Sequence, residues 1–291
     1  MSAVSTKPGT LFVVATPIGN LSDISPRAVE VLRSVALVLA EDTRVTARLL
    51  NHLAISTPLA SYRDHNERRM APAIVDRLAA GADVALVSDA GTPGICDPGL
   101  HLVAAAHASG IEVRAVPGPS SITAALSVSG LPGGCFVFEG FLPPRARARG
   151  AVLERLAHET RTVVLLEAPH RIAASLRDIQ EHFGAERRIC VAREISKMFE
   201  TVLAGTVGDV AARLSGPGAQ VRGEFVIVLA GLAAEPQPAE EAAEKVLRSL
   251  LPRLPLGDAV AATVELTGGR RNAIYELALA IQRRNPTSME R

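Results

Sequence analysis

The sequence contains no tryptophan, and its aromatic residues amount to seven phenylalanines and two tyrosines in 291 positions. Proteins that bind single-stranded nucleic acid by base stacking present aromatic side chains to successive bases. So small a supply of aromatic residues argues against a stacking platform as the main mode of recognition.

Cysteine is scarce as well. Cys96, Cys135 and Cys190 lie far apart and form no CxxC pair. Their spacing therefore indicates neither a disulfide framework nor a zinc site. We interpret the three as small buried side chains and predict no metal.

Long apolar runs are also missing. No run reaches the roughly 18 to 20 residues that a membrane-spanning helix needs. The first residues lack the basic-then-apolar order of a signal peptide. We therefore expect a soluble, cytoplasmic protein with no membrane partner.

Charge is nearly balanced, with a net charge of +1 at pH 7, so the chain as a whole is not strongly basic. A neutral total can still hide a local basic face. Lysine occurs only at positions 7, 197 and 245, so nearly all positive charge is guanidinium, which suits bidentate contacts with phosphate. A GC-rich genome favours arginine codons and would give the same composition.

Apolar runs of strand length alternate with amphipathic helical stretches, and this order predicts an α/β fold. Several runs, such as FVIVL, are apolar at every position, as in strands that are covered on both faces. The predicted strands are 11–15, 36–40, 83–88, 112–116, 136–141, 162–167, 188–193 and 224–230.

Two stretches have the composition of domain boundaries. The cluster of glycine and proline at 130–134 predicts a junction between two α/β domains, 1–130 and 131–232. The stretch 233–238, AAEPQP, has linker composition, and beyond it the strand pattern gives way to helical periodicity. We expect a helical module over 239–291, with helices at about 239–251, from an N-cap at Asp258, and through Ile274, Leu277 and Ile281.

The first predicted strand runs into the turn ATPIGN at 15–20. A turn of this kind brings backbone against a ligand at the carboxyl end of a strand. It lacks the G-x-G-x-x-G spacing, which argues against NAD and FAD. An ordinary strand-to-helix turn explains it equally well.

A longer loop at 88–99, SDAGTPGICDPG, follows the third predicted strand and contains two carboxylates. It lies where an open α/β sheet binds its ligand. Asp89 is not followed by a second Asp two residues later, as an aspartyl phosphatase would require, and the Gly-Lys-Ser/Thr of a P-loop is missing. The loop is nevertheless much longer than a turn needs to be.

The third turn, VPGPSS at 116–121, leads from a strand into a helix. Its free N–H groups and hydroxyls could bind a carboxylate, although Ser120 could equally serve as the N-cap. The context GPSSI does not fit a G-x-S-x-G nucleophile elbow.

These turns belong to a series of blocks that resembles the ribosomal small-subunit RNA methyltransferase I family of the tetrapyrrole methylase superfamily. The match is in order and spans about 11–231, and the stretch TGGRRNAIYELAL resembles the family's helical tail. Cys96 is a departure, since serine is expected there. The blocks are ATPIGN (15–20), AEDTR (40–44), VALVSDAGTPGICDPG (84–99), VPGPSSITAAL (116–126), FEGFLP (138–143), LLEAPHRI (165–172), REISKMFET (193–201) and GEFVIVLAG (223–231).

The resemblance implies a two-domain α/β enzyme, usually a homodimer, with a cofactor cleft between the domains and a small helical module at the C-terminus. It further implies that S-adenosyl-L-methionine binds in the cleft. The implied reaction is 2′-O-methylation of the ribose of a cytidine in the decoding region of 16S ribosomal RNA, with the RNA or the 30S subunit as partner.

Carried over residue by residue, the resemblance implies cofactor contacts along the turns of both domains. A sulfonium with an amino acid tail and an adenosine needs backbone groups, short hydroxyls and an apolar slot. The implied residues are Pro17, Ile18, Asp89, Gly91, Thr92, Pro93, Ser120, Ser121, Ala168, Glu224 and Phe225.

A general base would help, because a ribose hydroxyl is a very weak acid. The carboxylate candidates are Glu41 and Asp42 in AEDTR, and Glu194 and Glu200 in REISKMFET; His65 is a fifth candidate. Each has a structural alternative, such as capping of the helix that begins at Thr43 or pairing with a nearby Arg or Lys. The sequence does not select among them.

Arginines at alternate positions, Arg145, Arg147 and Arg149, form the best electrostatic candidate for an RNA contact. If this segment is extended, their guanidinium groups share one side. Arg270, Arg271 and the pair at 283–284 would extend the basic surface into the tail; a solvated face with no partner remains the alternative.

Two other functions stay open. One is a precorrin or tetrapyrrole methyltransferase on the same fold, and the other is a non-catalytic RNA-binding assembly factor. The arginine segment and the helical tail favour an RNA substrate over a macrocycle.

Overall fold

A computed structural model describes residues 7–216, 221–232 and 238–284. The chain forms two compact units, Met1–Leu232 and Ala233–Arg291. The first unit contains two five-stranded sheets, one on each side of the breaker cluster at 130–134. Its division into domains 1–130 and 131–232 stays a prediction.

The first sheet is entirely parallel, in the order β3-β2-β4-β1-β5. Every residue of β2 and β4 is buried, as expected for strands that helices cover on both faces. Its strands are β1 (Thr10–Val14), β2 (Leu37–Ala40), β3 (Leu59–Ser61), β4 (Val84–Val87) and β5 (Glu112–Val116), and the helices after them are α1 (Pro26–Ser34), α2 (Thr43–His52), α3 (Asp64–Ala79), α4 (Leu100–Ala108) and α5 (Ser121–Val128).

The second sheet is mixed, in the order β6-β7-β10-β8-β9. Only β6 and β7 pair in parallel; the other three pairings are antiparallel. Its strands are β6 (Phe136–Phe141), β7 (Thr162–Glu167), β8 (Arg188–Arg193), β9 (Thr201–Thr206) and β10 (Phe225–Leu229), and its helices are α6 (Ala146–Ala157), α7 (Ile172–Phe183) and α8 (Val207–Ser215).

Each sheet is covered by apolar side chains on both faces, which confirms the α/β prediction. The start of α1 shows how local sequence sets an element. Ser25 accepts a hydrogen bond from the backbone N–H of Ala28, and Pro26 occupies the first turn.

The C-terminal unit consists of α9 (Pro238–Leu250), α10 (Leu256–Thr267) and α11 (Arg271–Arg284), as the helical pattern predicted. Gly268, at φ +67°, ends α10 in the left-handed conformation. The predicted cap at Asp258 is wrong, because Pro255 precedes the first turn and Asp258 lies inside it. The core of the unit contains Ala243, Leu247, Val260, Ile274, Ala278 and Ile281.

Two further expectations need correction. The sequence pattern missed β3 and β9, the edge strands of the two sheets. Of the three free cysteines only Cys190 is buried, whereas Cys96 and Cys135 are exposed. Among the described helices, none has the length and apolarity that crossing a membrane would take.

Candidate active site

The three turns predicted to bind a ligand meet at the carboxyl edge of the first sheet, because β4, β1 and β5 are adjacent there. Thr16 and Gly91 exchange two backbone hydrogen bonds, of 2.9 and 3.1 Å, which join the first turn to the 88–99 loop. A Cβ at Gly118 would lie 3.0 Å from the Cβ of Ala15, so glycine allows the third turn to approach the first.

The second sheet contributes the facing side of the site. Since β10 is antiparallel to both of its neighbours, Phe225 at its start pairs with Glu167 at the end of β7 and with Arg193 at the end of β8. This register brings the blocks LLEAPHRI, REISKMFET and GEFVIVLAG to one edge. Glu224 and Ala168, far apart in sequence, both reach the site in this way.

A cavity of about 650 Å³ lies among these turns, within the range that binds cofactors and drug-sized ligands. Pro17 and Pro93 are buried within their own turns and do not line it. The other nine of the eleven predicted cofactor residues do: Ile18, Asp89, Gly91, Thr92, Ser120, Ser121, Ala168, Glu224 and Phe225.

The cavity is acidic. Its described lining residues include Glu41, Asp89, Asp97, Glu167 and Glu224 but no lysine or arginine. Glu167 and Glu224 pair with Arg171 and Lys197 outside the lining, so Glu41, Asp89 and Asp97 contribute most of the negative charge. Such a lining favours a cationic ligand and disfavours a phosphate.

Two of these carboxyl groups have displaced pKa values. Burial, and then the charge of Asp89, raise the pKa of Glu41. Burial, and then the charge of Glu41, raise the pKa of Asp97 to about 6. Both groups are therefore stronger bases than an exposed carboxylate.

Asp97 is the carboxylate that sequence reasoning failed to single out. It lies at the far end of the 88–99 loop, eight residues beyond Asp89. It reaches the cavity because the loop folds back, with Gly99 at φ +146° and its N–H donating to Glu67 at 3.2 Å. A loop with two carboxylates after a buried strand was the available signal.

The other base candidates lie outside this cavity. Asp42 caps α2 and pairs with Arg44, whose hydrogen bonds hold the pKa of Asp42 far below its ordinary value. Glu200 accepts from the backbone N–H of Ser196 at 2.6 Å and borders a separate surface depression. His65 is exposed in the first turn of α3.

Glu194 is part of an ion-pair network beside the cavity. Lys197 donates to Glu194 at 2.8 Å and to Glu224 at 3.2 Å, and the backbone N–H of Glu224 also donates to Glu194. Although burial acts in the opposite direction, these hydrogen bonds lower the pKa of Glu194. Gly223 has a φ of +89°, which favours glycine, and a Cβ there would displace the Glu194 carboxyl group, whose carbon would lie 2.2 Å away. The network therefore holds the 194–200 loop against β10.

The arginine segment differs from expectation. It is not extended, because α6 begins at Ala146 and includes Arg147 and Arg149. Arg149 is buried and binds Asp178 at 2.6 Å, so its guanidinium does not face solvent beside the other two. Arg145 and Arg147 are exposed. Arg270 and Arg271 are exposed at the start of α11, as is Arg283; the side chain of residue 284 lies outside the described residues.

The donor set fits S-adenosylmethionine. Hydroxyls of Thr92, Ser120 and Ser121, the backbone at Gly91 and several carboxylates surround the cavity, as an amino acid tail, ribose hydroxyls and a sulfonium would require. Gly91, at φ +82°, provides a backbone position that favours glycine. Within the described residues, no cluster of His, Cys, Asp or Glu could hold a metal ion.

The fold and the site define the class of protein, a tetrapyrrole methylase. Residues 10–211 match the model of the Tetrapyrrole (Corrin/Porphyrin) Methylases. Two solved structures share the fold: the methyltransferase CobJ, at TM-score 0.57 and 20% identity over 77% of this chain and 95% of that one, and uroporphyrin-III-C-methyltransferase from Thermus thermophilus, at TM-score 0.52 and 22% identity over 76% and 94%.

Within that class, the chain belongs to the ribosomal RNA small subunit methyltransferase I family. The protein of that name from Pseudomonas aeruginosa is 51% identical, over 94% of this chain and 98% of its own length. Those from Neisseria meningitidis and Escherichia coli O157:H7 are 46% and 42% identical over 94% of this chain, and over 94% and 96% of their own. Residues 237–282 match the RsmI C-terminal HTH domain.

Proposed function

We propose that this protein is an S-adenosylmethionine-dependent methyltransferase of small-subunit ribosomal RNA. Its target would be the ribose 2′-hydroxyl of a cytidine in the decoding region of 16S RNA. The names of the relatives support the RNA substrate. The acidic cavity supports the cofactor, because a sulfonium cation suits a lining that has carboxylates and lacks lysine and arginine.

The chain's own residues would hold the cofactor from both sheets. Ile18, Gly91 and Thr92 would contact it from the first sheet, and Ala168 and Phe225 from the second. When bound, S-adenosylmethionine supplies an activated methyl group on a cationic sulfur. The protein's main task is then to position the acceptor oxygen, which can supply much of the catalysis.

Glu41 is our choice for the general base. Of the four carboxylates that the sequence offered, it is the one that lines the cavity, and its pKa is raised. As the 2′-oxygen takes the methyl group, its proton would pass to the Glu41 carboxylate. Asp97 lines the same cavity and would place a second carboxyl group near the acceptor hydroxyl.

RNA contacts would come from exposed arginines outside the cavity. Arg145 and Arg147 lie at the start of α6, where the helix dipole adds positive potential. Arg270 and Arg271 occupy the equivalent place on α11 in the unit that matches the HTH domain. Arg149 is left out of this proposal because it pairs with Asp178.

The decisive experiment is incubation of the protein with methyl-labelled cofactor and, separately, 30S subunits, naked 16S RNA and a tetrapyrrole, followed by mapping of the label. We expect a single ribose-methylated cytidine in the small-subunit RNA. Label on the tetrapyrrole alone would contradict the RNA substrate. Absence of cofactor binding in calorimetry would indicate an assembly factor without catalysis. The homodimer and the cytoplasmic location stay predictions; light scattering tests the former and cell fractionation the latter.

A further inference from the structure

Phenylalanine is concentrated at the cavity. Four of the seven phenylalanines of the chain line it, and three of these, Phe136, Phe138 and Phe141, come from the single strand β6. Phe136 and Phe141 are 38% and 54% exposed, although large apolar side chains are usually buried. The low aromatic content of the chain therefore conceals a local aromatic surface, which we call the β6 wall.

A β-bulge builds the β6 wall. Side chains alternate between the two faces of a strand, so Phe136 and Phe138 share one face and position 141 belongs on the other. The register with β7 shifts between Phe138 and Gly140, and the extra residue reverses the alternation. Phe141 thereby pairs with Leu166 and faces the cavity with the other two.

Gly140 makes the bulge possible. Its φ is +74°, a conformation that favours glycine, and a Cβ at this position would lie 2.9 Å from the Sγ of Cys96. The bulge thus packs directly against the 88–99 loop, which supplies Asp89 and Asp97. The β6 wall therefore lies against the segment that contains Asp89 and Asp97.

We infer that the β6 wall receives the nucleobase of the target nucleotide, swung out of its RNA stack; this inference rests on the proposed function. The acceptor hydroxyl has to enter the cavity to meet the methyl group, and the base attached to the same ribose enters with it. Bases taken out of a stack are characteristically bound against aromatic side chains.

Position favours the base over the adenine of the cofactor as the occupant. β6 is an edge strand of the second sheet, whereas the proposed cofactor residues lie further inside, Ala168 directly after β7 and Phe225 at the start of β10. The β6 wall also leads directly to Arg145 and Arg147, three and five residues beyond Leu142. Guanidinium groups beside the wall can hold the phosphates that flank the extruded nucleotide, which the acidic cavity itself would repel.

The test is a cycle that combines protein variants with a base-free substrate. Small-subunit RNA, free or reconstituted into subunits, is prepared with cytidine or an abasic ribose at the mapped position. For the wild type we expect the abasic substrate to lower kcat/KM roughly 5- to 150-fold, since stacking of one base contributes about 1–3 kcal/mol. Phe141→Ala and Phe136→Ala should lower kcat/KM for the normal substrate within the same range. With the abasic substrate, the kcat/KM of these variants should fall little further.

Val202→Ala is the matched control, an apolar side chain of 38% exposure on the opposite edge strand, β9. It should behave as the wild type with both substrates. Calorimetry with S-adenosylmethionine checks that each variant is folded and binds the cofactor normally. Phe141→Leu adds a variant that keeps the bulk and loses the ring, and it should also lose discrimination.

The outcomes separate the two proposals. If wild type and wall variants respond equally to the abasic substrate, or if the wall variants lose cofactor affinity as much as activity, the β6 wall is not the base site, whereas the methyltransferase proposal stands. If the wild type methylates no ribosomal RNA, the proposed function fails, and this inference fails with it.

Discussion

Glu41, Asp42 and Asp97 show how the environment of a carboxylate makes it suitable for different tasks. Glu41, Asp42 and Asp97 are all carboxylates near the same sheet edge. Hydrogen bonds from Arg44 lower the pKa of Asp42, whereas burial and neighbouring negative charge raise the pKa values of Glu41 and Asp97. A proton acceptor needs a pKa closer to the working pH than an exposed carboxylate has.

Substitution of Glu41 by Gln tests the base assignment. We expect the single-turnover methylation rate to fall roughly 10²- to 10⁴-fold with little change in cofactor or RNA affinity, because the shape is kept and only the proton acceptor is lost. Asp42→Asn is the matched control, since Asn also caps a helix well and position 42 lies outside the cavity. A loss below about tenfold in Glu41→Gln would show that positioning alone drives the transfer.

The raised pKa of Asp97 predicts a pH-dependent change in stability. Its folded-state pKa of about 6 exceeds the unfolded value of about 3.9, so the folded state holds the proton more tightly. The associated stability is fully present below pH 4 and is lost as the pH rises through 6. Asp97→Asn removes this dependence.

Urea unfolding at pH 4 and pH 7.5 measures the effect. Because Asp97 is only half-buried, solvent screening reduces it, and we expect Asp97→Asn to be more stable than the wild type by about 1 kcal/mol at pH 7.5. The difference should shrink at pH 4, where the wild-type carboxyl is protonated. A variant less stable than the wild type at pH 7.5 would contradict the assignment of a destabilised carboxylate.

At the scale of elements, the 88–99 loop contains a natural comparison between two glycines. Gly91 and Gly94 have nearly equal φ values, +82° and +80°, but only Gly91 lines the cavity. Alanine at either position should cause similar backbone strain, of about 1 kcal/mol. Only Gly91→Ala places a methyl group at the cavity surface.

We therefore expect Gly91→Ala, and more strongly Gly91→Val, to weaken S-adenosylmethionine binding, by about tenfold or more for valine, which is about 1.4 kcal/mol. Gly94→Ala should bind the cofactor as the wild type does. Calorimetry on the three variants, with unfolding curves to confirm the matched strain, provides the comparison. If all three variants bound the cofactor as tightly as the wild type does, Gly91 would not belong to the cofactor site.

Helix α6 gives a second contrast, between arginines two residues apart. Arg147 is exposed, and Arg149 binds Asp178 from a buried position. The joint variant Arg145→Ala/Arg147→Ala should keep its stability and lower RNA affinity. The slope of log affinity against log salt should become shallower by roughly 0.7–0.9 per lost phosphate contact.

Arg149→Ala should instead destabilise the first unit by roughly 1–3 kcal/mol, because Asp178 loses its charged partner. Salt titrations of RNA binding and urea unfolding of both variants distinguish the two effects. An unchanged salt slope in the joint variant would show that Arg145 and Arg147 do not contact phosphate.

The sequence revealed elements where local pattern and burial agree and missed them where they do not. The fully apolar runs of β4 and β10 are buried at every position and were predicted correctly. β3 is three residues long and only partly buried, and β9 is an edge strand with alternating exposure, so neither presents an apolar run. The alternation of Arg145, Arg147 and Arg149 suggested a strand-like segment, but the segment begins a helix.

The site shows the same division. Residues inside a motif at a strand end, such as Asp89, Gly91 and Ser120, could be placed from sequence because parallel strands bring their carboxyl ends together. Asp97 and Phe141 could not, since each depends on a backbone conformation that sequence periodicity does not encode: the return of a long loop and a bulge at Gly140.

For the whole molecule, the proposed function divides between the two compact units, with the cofactor chemistry in the first and part of the RNA binding in the second. All described residues that line the cavity lie between Ile18 and Val226, inside the first unit. The second unit has its own apolar core and carries exposed Arg270 and Arg271. Each unit should therefore keep its fold when the connection between them is cut.

A chain that ends at Leu232 tests this division. We expect its S-adenosylmethionine affinity to stay within about twofold of the full-length value, a change of about 0.4 kcal/mol, because no cavity residue is removed. Its affinity for small-subunit RNA should fall, and its salt slope should become shallower by roughly 0.7–0.9 for each phosphate contact of the tail. Full-length Arg270→Ala/Arg271→Ala is the companion variant and should reproduce part of both RNA effects without any change in cofactor binding. Calorimetry and RNA titrations at several salt concentrations measure the two properties. If the shortened chain folds but no longer binds the cofactor, the second unit contributes to the cofactor site, and the proposed division of functions between the two units is wrong.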